Sequence, residues 1–219
     1  MVLELKEFMR NNCKMGDNSI NKQCIPEAIA YIASFWSLLP IKNEPNGLFE
    51  KPIISIPYSA QILTIFQLLG INEPSIPNHL AQVKTGEGKS LDLAITAAFL
   101  ALLDNNVHIV CYSPYLTQRD QRSFQSFYDE LGISDKVKYQ TIDQLTDYVI
   151  NLEVNIREYV EGGFVSKSLE SKPQSLDHSY LLIDEIDVFF NKRYFGNIYH
   201  VGAELKLKDF KDLAIKIWK

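Results

Sequence analysis

Apolar residues recur every three to four positions in some stretches of the chain and run continuously in others. The changes between these two patterns mark the predicted elements. Pro26 stands at a helix start, followed by an apolar face through Ile29, Ile32, Phe35 and Leu38/Leu39. The run Ala28–Leu39 (AIAYIASFWSLL) is about two-thirds of a membrane span and reads as a buried helix. Pro40–Pro52, with Asn46-Gly47, reads as a linker. A short helix is expected from Ser59 to Leu69, and a proline- and asparagine-rich loop over 71–78.

Short apolar runs then alternate with helical patterns. His79–Val83 is a candidate strand. Ser90–Leu103 (SLDLAITAAFLALL) is apolar nearly all round and predicts a well-buried helix. Val107–Tyr112 (VHIVCY) is a β-rich run suited to a strand covered on both faces. Ser113-Pro114 fits a helix cap followed by proline, and Gly132 sits where that helix should end. Val137–Ile142 is a weaker strand, and 143–160 repeat the helical spacing. Residues 161–179 are polar and serine- and lysine-rich, a candidate flexible loop. Tyr180–Ile183 is again a strand, and 203–219 predict an amphipathic C-terminal helix.

Strand and helix in alternation imply crossover units and a parallel sheet between helices, an α/β fold. Residues 1–50 form an N-terminal helical extension, and 51–219 form the α/β lobe. Ligands of such sheets bind beyond the carboxyl ends of the strands. The chemistry is therefore expected after Val83, Tyr112 and Ile183.

Composition adds limits. With 219 residues, 46% hydrophobic and 22% charged, the chain has ordinary globular usage, which excludes a disordered or collagen-like protein. The net charge of −5 lacks the positive field of a general nucleic-acid or anionic-membrane binder. Cys13, Cys24 and Cys111 show no zinc-knuckle or CxxC spacing. They read as reduced thiols in a cytoplasmic protein, with Cys111 in the core. Glu4 and Glu7 and the absence of an early apolar run argue against a secretory signal.

The first chemical signal is Lys84-Thr85-Gly86-Glu87-Gly88-Lys89-Ser90. It is most of a phosphate-binding loop, with Val83 where the general motif has its first glycine. Glycines let successive N–H groups turn toward phosphate oxygens, and the following helix offers its positive end. Lys89 would reach the β- and γ-phosphates, and Ser90 would ligate Mg²⁺. The alternative is a glycine-rich turn with an exposed lysine. The second signal is Leu181–Asp187 (LLIDEID), an apolar strand ending in carboxylates. Asp184 would hold Mg²⁺, Glu185 would orient or deprotonate the attacking water, and Asp187 could pair with a basic residue. The alternative is a solvated acidic turn.

Together, TGEGKS (Thr85–Ser90), YLTQRD (Tyr115–Asp120) and LLIDEID resemble the ATPase lobe of the SecA family of preprotein translocase motors. That family carries a TGEGK loop, a VHVV-like strand leading to YLAQRD, a glycine-containing helix end and a DEVD box, in this order. The counterparts here are Val107–Val110, Tyr115–Asp120, Glu130-Leu131-Gly132 and Asp184–Asp187. The likeness runs from about residue 55 to 190 and also covers Val83, since SecA loops lack the first glycine.

The resemblance implies a RecA/helicase-like P-loop fold with ATP and Mg²⁺ as cofactors. It implies Lys89 and Glu185 as catalytic residues and Ser90 and Asp184 as metal ligands. Lys84, Thr85, Gly86, Glu87, Gly88, Lys89, Ser90 and Arg119 would contact nucleotide. Gln61, or alternatively Gln67, would read adenine, because an amide both donates and accepts. Arg119 and Asp120 would couple nucleotide state to the motor, or else form a surface salt bridge.

The aromatic and basic stretch Lys192–His200 reads as a loop packed on the core, with base stacking as its alternative. The 219 residues hold no second lobe, so ATP or ADP binding with slow hydrolysis is expected. Partners implied are a protein substrate, a second motor lobe or a translocon at the membrane periphery. The competing functions are a nucleotide-gated docking module and a DEAD-type nucleic-acid remodelling lobe.

Overall fold

Leu5, Met9 and Cys13 are four apart and so share one helical face. The chain accordingly opens as helix α1 (Val2–Phe8), which runs straight into a π-helical turn at Met9–Cys13 with all three residues buried. The structure is a computed structural model and describes residues 1–15, 19–39, 56–73, 75–76, 78–150 and 179–189. The linker at Pro40–Pro52, the 161–179 loop, Lys192–His200 and the 203–219 helix lie wholly or largely outside the described residues.

A two-residue hairpin follows, β1 (Lys14–Met15) antiparallel to β2 (Ser19–Ile20). The Asn21 side chain accepts from the Gln23 N–H and caps a 3₁₀ turn at Lys22–Cys24. Helix α2 (Ile25–Leu38) starts there, with Pro26 in its first turn, where its missing N–H costs nothing. The hairpin folds Cys24 back on Cys13, with Cα atoms 5.5 Å apart, and the two are joined as a disulfide. This corrects the expectation of reduced thiols for that pair. Local spacing carried no sign of it, because the approach depends on the turn between them. Cys111 is free and buried, as expected.

Helices α3 (Ser59–Leu68) and α4 (Lys89–Leu102) stand where the periodicity placed them. Between them, His79–Val83 forms no strand. Its Leu80 faces solvent, Ala81 and Val83 are half-buried, and the segment pairs with none of the described strands.

Three parallel strands follow: β3 (Asn106–Val110), β4 (Val137–Gln140) and β5 (Ser179–Ile183), in the spatial order β4-β3-β5. Val107 is opposite Val137 on one side and Tyr180 on the other. Helix α5 (Pro114–Leu131) leads from β3 to β4, and its Gly132 cap is left-handed at φ 62°. Helix α6 (Ile142–Ile150) follows β4. This is the expected α/β arrangement, a parallel sheet flanked by helices.

Strand alternation separates the two faces of the sheet. Val107, Ile109, Tyr139 and Leu182 join the apolar core shared with α2, α4 and α5. His108 and Lys138 point the other way, toward Tyr148 of α6. The His108 ring lies 5.2 Å from that ring, and the Lys138 ammonium 4.7 Å from its centroid. Against the core, the partly buried Trp36 of α2 packs edge-on on the fully buried Phe127 of α5 at 5.4 Å.

The chain divides into two compact units, Met1–Glu185 and Ile186–Lys219. Within the second, a short helix α7 (Ile186–Phe189) is described. No described helix is long and apolar enough to cross a membrane.

Candidate functional site

The loop before α4 is shaped by its glycines. Gly88 caps the helix at φ 80° and ψ 34°, a conformation that a side chain disfavours. A Cβ there would lie 2.5 Å from Nε2 of Gln61, so a substitution would also displace that amide from the Gly88 carbonyl. Gly86 is also left-handed, and a Cβ on it would meet nothing within 4 Å. The loop residues Lys84, Thr85, Gly86, Glu87 and Gly88 are exposed, while Lys89 and Ser90 in the first turn of α4 are half-buried. The Glu87 N–H donates to the Lys84 carbonyl at 3.2 Å and closes the turn.

Gln61 comes to this loop from the first turn of α3. Its Oε1 accepts from the Tyr58 N–H at 2.8 Å, half of a capping box. Its Nε2 donates to the Gly88 carbonyl at 3.1 Å. Gln61 is 4% exposed, whereas Gln67 on the same helix points to solvent. The structure therefore brings Gln61 and the glycine loop together and leaves Gln67 apart.

Beneath Gln61 lies Asp92, one turn into α4 and 2% exposed. Among the described residues, neither of its oxygens meets a hydrogen-bond partner. Burial pushes its carboxyl up to about 7. The nearby Gln61 amide opposes this, but it is aimed at Gly88, and desolvation prevails. Sequence reading missed Asp92. The available signal was one carboxylate inside a helix otherwise apolar nearly all round.

A second group of polar side chains gathers at the strand ends. The Ser90 hydroxyl donates to Asp120 Oδ2 at 2.9 Å. Nε of Arg119 donates to Asp120 Oδ1 at 2.7 Å, and its Nη2 reaches the Ser90 oxygen at 3.4 Å. The bond to Asp120 raises the Arg119 guanidinium further above its ordinary value. The salt bridge weighed as the alternative is present, between a half-exposed Arg119 and an Asp120 that is 4% exposed. Asp120 is the hub of the group, a role that its sequence position did not reveal.

Asp184 joins from β5. Its N–H donates to the Val110 carbonyl at 2.9 Å, which extends the β3–β5 ladder by one bond. Glu185, next along, is exposed and holds φ 54°, rare for a residue with a side chain. Cys111 follows β3 and is 1% exposed. Burial, then the charges of Asp184 and Asp120, push its thiol up to about 12. The chain thus sets hard oxygen groups from α4, α5 and β5 beside an exposed glycine loop, with a thiol among them. Asp187 lies in the second unit and is not placed relative to them.

Comparison with known proteins gives a consistent likeness. The SecA DEAD-like domain family matches residues 5–190. A protein translocase subunit SecA of Sulfurimonas denitrificans is 29% identical over 155 residues, covering 64% of this chain and 18% of that protein. The SecA subunit of Wolinella succinogenes is 31% identical over 143 residues, covering 60% of this chain and 16% of the relative. That of Pelagibacter ubique is 32% identical over 116 residues, covering 49% and 13%. This chain therefore spans less than a fifth of the length of these relatives. No solved structure matches it.

Proposed function

The chain belongs to the SecA DEAD-like domain family, and from that premise we propose that it is the ATP-binding lobe of a protein-translocation motor. The observation that carries this reading is the exposed Gly86–Gly88 loop on α4, set beside the Ser90–Asp120–Asp184 group beyond the strand ends.

The residues present fit Mg²⁺-ATP. A Cβ at Gly86 would meet open space, and the first turn of α4 presents N–H groups that its own helix cannot pair. The Ser90 hydroxyl and the Asp184 carboxylate are the hard oxygen donors that Mg²⁺ prefers. When bound, the cation neutralises charge developing on the transferred phosphoryl group.

Lys89 would place its ammonium against the β- and γ-phosphates, with Lys84, Thr85 and Glu87 flanking them. Arg119 holds Asp120 and thereby orients the Ser90 hydroxyl. Gln61 would exchange its Gly88 bond for the adenine edge, so that base binding reports directly on the loop. Glu185 would align and deprotonate the attacking water. Its left-handed backbone supports this, because strain of this kind concentrates at working sites.

Phosphoryl transfer in this class commonly draws on an arginine delivered across an interface, so the chain alone should turn ATP over slowly. A facing motor lobe, a protein substrate and a membrane translocon are the partners this function requires, on the cytoplasmic side. A Lys89→Ala chain, titrated with a fluorescent ATP analogue, is expected to bind at least about tenfold more weakly, from loss of a charge-assisted phosphate contact. Unchanged affinity would overturn the nucleotide assignment.

A further inference from the structure

The Cys111 Sγ, an Asp120 carboxylate oxygen and an Asp184 carboxylate oxygen all lie within 4.8 Å of one another. They come from three separate elements. Cys111 follows β3 and its N–H donates to Gln140 of β4 at 3.2 Å, Asp184 is tied to Val110 at the end of β3, and Asp120 sits in the second turn of α5. The sheet ladder therefore fixes the backbone of Cys111 and Asp184, and α5 that of Asp120. Cys111 and Asp120 are both more than nine-tenths buried, and the Ser90 hydroxyl borders the cluster through its bond to Asp120.

We propose that these three side chains form a seat for a thiophilic divalent cation of the zinc class, with Cys111 as a direct ligand. Mg²⁺ keeps to oxygen and leaves a thiol aside, whereas zinc and cadmium favour sulfur. Tetrahedral zinc bonds of about 2.0–2.3 Å place ligand atoms about 3.5 Å apart. Small rotations of side chains already within 4.8 Å would close that shell. Binding forms a metal–sulfur bond and releases the thiol proton to solvent. Arg119 is about half exposed and can leave Asp120 as the cation arrives.

The seat overlaps the cation position of the nucleotide reading and deepens it by naming a second cation class. Its test needs no nucleotide, so the two readings can fail separately. The full chain with its disulfide intact has one free thiol among its three cysteines, so a thiolate-to-metal absorption band has a single source.

The probe is Cd²⁺, followed by ultraviolet absorption and calorimetry, with Mg²⁺ as the hard control. The expected result is one equivalent bound with the band present and no band with Mg²⁺. Loss of a ligand group should weaken Cd²⁺ at least about tenfold in Cys111→Ser, Asp120→Asn and Asp184→Asn alike. No band in the parent chain, or full affinity in Cys111→Ser, would overturn the site. Unchanged affinity in both aspartate variants would reduce it to capture by a single thiol and overturn it equally. Thermal unfolding of each variant separates lost ligation from lost fold, and Zn²⁺ displacement of Cd²⁺ from the parent chain tests the class without any variant.

Discussion

Helix α4 is held by two regions of opposite chemistry. On its flank, α2 and α3 pack apolar side chains into one core with α5, and a disulfide clips the segment that leads into α2. At its first turn, the helix meets an exposed loop, an unpaired carboxyl and a cluster of charges. Among the described residues, the flank leaves one buried side-chain group without a partner, the Trp36 indole N–H, and the first turn leaves both oxygens of a carboxyl, Asp92. Rigidity on one side is what lets the other carry groups that oppose folding, because a site of this kind persists only when its surroundings over-determine it.

Breaking the flank should therefore have the largest effect. Phe127 is fully buried and packs against Phe35 at 6.2 Å and Trp36 at 5.4 Å. Phe127→Ala is expected to cost about 3–5 kcal/mol through lost burial and the cavity left behind. Urea unfolding measures it. A cost under about 1 kcal/mol would mean that α2 and α5 do not share a tight core.

The clip comes next. Cys13 and Cys24 are 11 residues apart, and a closed loop of that size restricts the unfolded chain by about 3 kcal/mol. Cys13→Ser with Cys24→Ser should lower stability by that amount and leave nucleotide affinity little changed. If affinity falls as far as stability, the two regions are not separable. Thiol counting of the native and denatured chain, before and after reduction, checks that the bond exists at all.

The flank and the first turn were not equally legible in the sequence. Elements with a strong period were read to within a few residues. Helix α4, strand β3, and α5 with Pro114 at its start and Gly132 at its end all follow from local rules. His79–Val83 was misread because a short apolar run says nothing about whether a sheet edge is available to it. The Cys13–Cys24 bond depends on a hairpin of two residues per strand, too short to leave a pattern. At the site, the motifs named Lys89, Ser90 and Asp184 from local spacing. Asp92, Asp120 and Cys111 matter through contacts with residues of other elements, which no local window contains. The left-handed backbone of Glu185 was equally invisible, since nothing in its residue type announces it.

Asp92 allows the first turn to be probed on its own. Its folded pKa is raised to about 7, above its ordinary value of 3.8. Between those values the folded chain holds a proton that the unfolded chain does not. Stability therefore falls as pH rises through that window and levels off above about 7. The loss is on the order of 2–4 kcal/mol. Asp92→Asn keeps the shape without the charge, so the variant should match the parent near pH 4 and exceed it near pH 8. Urea midpoints across pH 4–8 give the answer. Parallel curves for the two chains would show that Asp92 finds a partner in solution.

The smallest effect is expected just past the far end of α4, at an exposed residue outside the core. Asp104 follows the helix at φ 78°, with its N–H on the Ala101 carbonyl at 3.0 Å and its carboxylate paired with Lys136. Glycine suits that backbone but loses the pair, whereas asparagine tolerates the backbone and loses only the charge. The pair is exposed and worth under about 1 kcal/mol. Asp104→Asn should cost that little at pH 7. Lys136 lowers the Asp104 carboxyl below its ordinary value, so the pair contributes above that value and is lost as pH falls through the lowered one. The asparagine and parent chains should therefore converge as pH falls through the lowered range of the Asp104 carboxyl. Asp104→Gly gains relief from the left-handed backbone, offset by the lost pair and by a freer unfolded chain, and should lie within about 1 kcal/mol of the parent. If Asp104→Gly were instead destabilised by several kcal/mol, the Lys136 pair would be holding α4 to the β3–β4 edge, and the flank would not be its main anchor.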